Sequence, residues 1–140
     1  MFSWKKLKIF PIIVAHRGAS AKAPENTMTA FRMAVKEGAD AIELDVHLTR
    51  DKQIVVIHDD KIDRTTDGKG FVCNYSLSQL KKFDATTLWN KKFPSEPVPA
   101  LDEVLSEFGD TIGINIEIKK ERTLTGQYDL INKCIELVSK

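Results

Sequence analysis

The sequence predicts an α/β fold with a mainly parallel sheet. Strand-like and helix-like segments alternate along the chain, and two of the strands place carboxylates on one face and branched aliphatics on the other. At 140 residues the chain has one-domain length, enough to bury about two-thirds of its unfolded surface. Hydrophobic residues at 42% and charged residues at 29% match an ordinary globular protein and argue against a disordered, collagenous or coiled-coil chain. Basic and acidic side chains number 21 and 20, so no global field recruits nucleic acid or an anionic membrane. No apolar run approaches the roughly 18 residues of a membrane span, so stable membrane insertion is not expected. Cys73 and Cys134 are too few for a disulfide scaffold and lack C-x-x-C spacing, which suits two reduced thiols in a cytosolic protein.

The N-terminal stretch MFSWKKLKIFPIIVA sets basic residues before apolar ones but runs directly into AHRG without a small-residue cleavage site. It reads as a lead-in and a first strand, Ile12 to Ala15, with a cytoplasmic location as the default. Next, Met28, Phe31, Ala34 and Val35 recur at helical spacing, with Asn26 or Thr27 as cap and Gly38 as stop. In AIELDVHLT, Ile42, Leu44, Val46 and Leu48 share one strand face, and Glu43, Asp45 and His47 the other. The short RDKQ turn leads into IVVIHDD, and so short a connection demands an antiparallel return. Residues 59–98 are rich in polar and turn residues and read as an inserted, loop-rich module. Within it Ser76 and Gln79 form a capping-box pattern ahead of Leu77 and Leu80. Pro99 then opens a helix with the stripe Leu101, Val104, Leu105 and Phe108, ended by Gly109. In the strand INIEIK, Ile114, Ile116 and Ile118 oppose Asn115, Glu117 and Lys119, and a last helix carries Tyr128, Ile131, Ile135 and Val138.

Half-exposed strands are the commoner origin of such alternation. In a βαβ arrangement, however, helices cover the aliphatic face and leave the acidic face in a barrel interior or cleft. Residues i and i+2 of a strand lie roughly 6.5 to 7 Å apart, so the carboxylates of Glu43 and Asp45 can converge on one ion. Buried carboxylates without a cation are costly, and a hard, oxygen-seeking divalent ion removes that cost. His16 with Arg17, and His58, sit at strand ends, where α/β folds place their sites. A histidine pair can run acid and base roles at neutral pH. Arg17 and Lys119 could hold a phosphate, although solvated surface is the commoner fate of a lone cation such as Lys119.

Five blocks, VAHRGASAKAPENTMTAF, GADAIELDVHLTRDKQIVVIHDD, IDRTTDGKG, VPALDEVL and INIEIK, resemble in order the signature blocks of the glycerophosphodiester phosphodiesterase family. The match spans residues 11–119. The resemblance implies His16 and His58 as catalytic histidines, Arg17 and Lys119 as phosphate contacts, and Glu43, Asp45 and Glu117 as ligands of Mg²⁺ or Ca²⁺. It leaves Glu25 and Asn26 to shape the loop and helix start beneath the site. It further implies a TIM barrel that hydrolyses glycerophosphodiesters to sn-glycerol 3-phosphate and an alcohol such as choline or ethanolamine. In that chemistry His16 is assigned as base and His58 as acid, with water or the substrate's own glycerol hydroxyl as nucleophile.

The departure from the family is length, because a TIM barrel takes about 250 residues and eight βα units. Three units are legible, so residues 1–140 read as a partial domain, either a fragment of a longer enzyme or a chain that pairs with another copy. The alternative is a truncated, non-catalytic phosphate- or metal-binding module derived from the family. A phospholipase D-like relative is disfavoured, since such proteins are usually secreted and disulfide-bonded.

Overall fold

The structure is a computed structural model that describes residues 11–89 and 92–139. The lead-in expected before Pro11 lies outside the described residues. Strands β1 (Val14–His16), β2 (Ala41–Leu48), β3 (Ile54–Val56) and β4 (Gly113–Ile118) form one sheet centred on β2. Helices α1 (Met28–Lys36), α3 (Leu101–Phe108) and α4 (Leu124–Val138) connect or follow these strands, and α2 (Leu77–Leu80) lies between β3 and α3. Both β1 and β4 run parallel to β2, and β3 returns antiparallel, as the short RDKQ turn requires.

The register shows how the sheet builds a site. β4 pairs with Ala41–Val46 along one edge of β2, so β1 and β3 must share the other edge. β1 covers the first part of that edge, ending at His16 opposite Glu43. β3 comes down the rest, with Val56 opposite Val46 and the Ile57 N–H donating to the Asp45 carbonyl at 2.9 Å. The ends of β1 and β3 therefore approach each other beside Glu43 and Asp45, and each has a histidine at or just past its end. His16 closes β1, and His58 follows Ile57.

The period of two in β2 sorts its side chains by face, although all eight residues are buried. Ile42, Leu44, Val46 and Leu48 join Phe31, Leu101, Val104, Phe108, Leu130 and Cys134 in the main core. Phe31 and Phe108 meet edge to face with centroids 6.1 Å apart. β3 is buried on both faces: Ile54 and Val56 face the main core, while Val55 and Ile57 join Ile62, Val72, Leu80 and Val98 in a second cluster. That division explains four consecutive branched residues at Ile54–Ile57.

Local chemistry sets the helix starts. The Thr27 hydroxyl accepts from the Ala30 N–H at 3.2 Å to open α1. Ser76 and Gln79 form the expected capping box at α2. Two helical faces differ from expectation. Val35 of α1 is exposed, while Phe31 and Ala34 are buried with Ala30 and Met28 packs, partly buried, against the same core. On α4 the stripe set against the sheet is Leu130 and Cys134, with Leu137 alongside, whereas Tyr128 and Ile135 face outward. This helix has two apolar stripes, and packing chose the one that its sequence did not single out. Among the described residues no helix is long and apolar enough to cross a membrane.

Candidate active site

Parallel pairing puts Glu43 opposite Asn115 and Asp45 opposite Glu117, so the acidic faces of β2 and β4 coincide. One carboxylate oxygen each from Glu43, Asp45 and Glu117 lie within 4.8 Å of one another. Asp45 is fully buried, Glu43 is buried and Glu117 is exposed. Lys119 reaches back along β4: its Nζ is 2.8 Å from Asp45 Oδ1 and contacts Glu117 Oε1. Burial pushes the Glu43 carboxyl upward, helped by the charges of Asp45 and Glu117 and opposed by an N–H from Arg17. Burial acts the same way on Asp45, but hydrogen bonds from Lys119 and Asn26 and the charges of Lys119 and Arg17 outweigh it and hold that carboxyl low. Burial disfavours the Lys119 ammonium, yet Asp45 and Glu117 raise its pKa overall.

The turn after β1 is bent to serve this cluster. Arg17 and Gly18 both have left-handed backbones, at φ 57° and 77°. For Arg17 that conformation stores strain of about 1 kcal/mol or more. It aims the Arg17 N–H at Glu43 Oε2, 2.9 Å away, while the Arg17 guanidinium meets Asp45 Oδ2 at 3.1 Å and Glu25 Oε1 at 3.2 Å. Asn26, also left-handed at φ 56°, donates its Nδ2 to Asp45 Oδ2 at 2.8 Å. His16 lies at the rim, its side chain 64% exposed and its Nε2 3.8 Å from Glu43 Oε2.

His58 is oriented by its own neighbour. Its Nδ1 is 2.6 Å from Asp59 Oδ1, and Arg64 Nε donates to Asp59 Oδ2 at 2.8 Å. Arg64 also binds both Glu25 oxygens, at 2.9 and 2.8 Å, so an ionic chain runs Asp45–Arg17–Glu25–Arg64–Asp59–His58. The Arg64 guanidinium, with help from His58, holds the Asp59 carboxyl down at about 2. Arg64 likewise lowers Glu25 and is itself raised by the two acids.

The model of the glycerophosphoryl diester phosphodiesterase family matches residues 16–138. The chain belongs to this family. It is 53% identical over 114 residues to YhdW of Bacillus subtilis (strain 168), covering 81% of this chain and 47% of YhdW. It is 50% identical over 109 residues to a glycerophosphodiester phosphodiesterase of Caldanaerobacter subterraneus, covering 77% of this chain and 45% of that protein. Among solved structures, an Oleispira antarctica phosphodiesterase in complex with the product sn-glycerol-3-phosphate superposes with a TM-score of 0.83 at 35% identity, over 93% of this chain and 52% of the other. The chain thus spans about half the length of the curated relatives it matches. Over that half, its α/β architecture is that of the glycerophosphodiester phosphodiesterases, the TIM-barrel type that the resemblance implies.

In this family member the structure brings together Arg17, Glu43, Asp45, Glu117 and Lys119, with His16 at the edge of the cluster. His58 joins through Asp59 and Arg64 rather than by touching the carboxylates directly. Glu25 and Asn26 hold the cluster itself, a closer role than shaping a loop beneath it. Asp59 and Arg64 had no assigned role; adjacency to His58 and a position in IDRTTDGKG were the signals available for them. The donor set suits a hard divalent ion, being all carboxylate oxygen. Glu43 Oε1 supports the fit, since it is buried and has no hydrogen-bond partner among the described residues.

Proposed function

We propose that the chain carries the catalytic part of a metal-dependent phosphodiesterase that hydrolyses glycerophosphodiesters to sn-glycerol 3-phosphate and an alcohol. One observation supports this above the others. Three convergent carboxylates on adjacent parallel strands stand beside two phosphate-competent cations, and a histidine stands at or just past the end of each strand on the opposite edge. Glu43, Asp45 and Glu117 would hold the ion, Mg²⁺ or Ca²⁺. When bound, it would neutralise charge on the phosphoryl oxygens.

Arg17 and Lys119 set two positive charges against the carboxylates of Glu25, Glu43, Asp45 and Glu117. Both cations are engaged with those acids, so an anionic phosphate would have to draw them toward itself as the acids turn to the ion. His16 is exposed and free to take the proton of the attacking hydroxyl at a ring nitrogen. His58 has its Nδ1 committed to Asp59, leaving Nε2 to give a proton to the departing alkoxide as the phosphorus–oxygen bond breaks. Asp59 fixes the His58 ring through Nδ1 and leaves Nε2 as the nitrogen able to hand over a proton, which supports His58 as acid and His16 as base.

Residues 1–140 are read as a partial domain with residues 59–98 inserted, and the remaining βα units of the barrel as its complement. The product would enter glycerol and lipid metabolism, and the location is taken as cytoplasmic. Outward-facing Leu124, Tyr128 and Ile135 on α4 favour a second reading, in which this chain is a non-catalytic phosphate- or metal-binding module that associates through that face.

Glycerol 3-phosphate release from glycerophosphocholine separates the two readings, measured with Mg²⁺, Ca²⁺ or EDTA and beside His16→Ala. Metal-dependent turnover lost in the variant is the expected result. A folded, ion-binding chain without turnover would overturn the enzyme reading in favour of the module.

A further inference from the structure

His47 lies on the same face of β2 as Glu43 and Asp45, one step nearer the C-terminal end of the strand, where barrel folds place their chemistry. It is 4% exposed, and each ring nitrogen faces an oxygen. Nε2 is 3.1 Å from the main-chain carbonyl of His58, and Nδ1 is 3.2 Å from Glu121 Oε1. Glu121 is itself anchored, accepting from the Leu48 N–H at 3.0 Å and donating its own N–H to Gln127 Oε1 at 2.8 Å. Gln127 Nε2 in turn donates to the carbonyl of Lys119 at 3.3 Å.

The geometry points to His47 as a positioning residue for His58, held in place by Glu121. The last ladder contact of β3 with β2 is Ile57 N–H to the Asp45 carbonyl. Beyond it the chain turns away, and the carbonyl of His58 is fixed by His47 instead of by a neighbouring strand. The same brace links His58 to the segment that carries Lys119 through one chain of hydrogen bonds. This inference rests on the role proposed for His58. A mere core histidine satisfied by two oxygens would stabilise the fold without governing the imidazole of its neighbour.

The chain has three histidines, so each imidazole can be followed in long-range proton–nitrogen spectra. His47→Phe keeps bulk but loses both polar contacts, whereas His47→Gln retains an N–H able to reach the His58 carbonyl. The Phe variant is expected to displace or broaden the His58 resonances and leave those of His16 in place. Its kcat on glycerophosphocholine should fall about tenfold, the scale of a sub-ångström misplacement, with KM and Ca²⁺ affinity within about twofold. The Gln variant should recover most of both signals. If His47→Phe does not fold, Glu121→Gln, which keeps the shape and removes the anchoring charge, should displace His58 in the same sense.

Unmoved His58 resonances in these variants would overturn the proposal, as would a loss expressed only in KM or a stability loss that Gln fails to rescue. Absence of turnover in the unmodified chain would count against the proposed function alone, because the imidazole spectra still decide the positioning role.

Discussion

Gly18→Ala and Gly38→Ala form a matched pair that tests how the turn after β1 is built. Both glycines have left-handed backbones, at φ +77° and +84°. An alanine at either position costs about 1–2 kcal/mol from that conformation alone. At Gly38 a Cβ would meet nothing within 4 Å, so the conformational cost is the whole effect. At Gly18 it would stand 2.7 Å from the Ala30 carbonyl carbon and 2.8 Å from the Ala30 Cβ. Those atoms belong to α1, tied to the turn by the Ala19 N–H to Ala30 carbonyl bond at 3.0 Å, and they cannot swing aside. Overpacking of this kind adds about 1–3 kcal/mol, for a total near 2–5 kcal/mol at Gly18. Urea unfolding at unchanged m-value reads both losses. The Gly18 variant should also bind Ca²⁺ more weakly, because the displaced turn carries the Arg17 N–H away from Glu43 Oε2. Equal losses at the two positions, or a Gly18 variant as stable as the parent, would refute the claim that contact with α1 shapes this turn.

Other consequences are equally direct. Asp45→Asn faces the Arg17 and Lys119 cations with a neutral amide, so about 3–5 kcal/mol of stability and calorimetric Ca²⁺ binding should both be lost. Arg64→Ala removes the main hold on Asp59, whose carboxyl should rise from about 2 toward its ordinary 3.8. The depressed folded pKa gives stability that is complete above about pH 4 and lost as pH falls through about 2. The full shift corresponds to about 2.5 kcal/mol and, on this solvent-screened carboxylate, to about 1 kcal/mol in practice. The variant should therefore trail the parent by about that amount at pH 7, the gap closing in acid unfolding curves; a gap that widens in acid would contradict the assignment. Burial pushes the Cys134 thiol up to about 11, so at pH 8 a thiol reagent should label Cys73 and spare Cys134 until the chain unfolds. Equal labelling of both in the native chain would show that the α4 packing is wrong.

Much of the architecture was legible residue by residue, because the signals involved are local. Alternation in AIELDVHL assigned both faces of β2 correctly, since successive strand side chains point opposite ways whatever surrounds them. The four-residue turn dictated the antiparallel return of β3, and Ser76 with Gln79 marked a helix start through a contact three residues long. The convergence of Glu43 and Asp45 follows from strand spacing alone, while that of Glu117 needed the register of β4.

Tertiary structure decided whatever depends on two distant segments meeting. Arg64 bridges Asp59 to Glu25, 39 residues away in sequence, and no local period encodes that reach. His47 was visible on the acidic face, but its link from Glu121 to the carbonyl of His58 exists only once β2, β3 and the segment after β4 are assembled. On α4, Leu130 and Cys134 compete with Tyr128, Ile131 and Ile135 as the inward stripe, and both sets recur at helical spacing. Burial of the first set against the sheet settles the choice, because a helix can turn only one face to a given neighbour. Periodicity states how residues are spaced; which neighbour they meet is fixed by the packing of the whole chain.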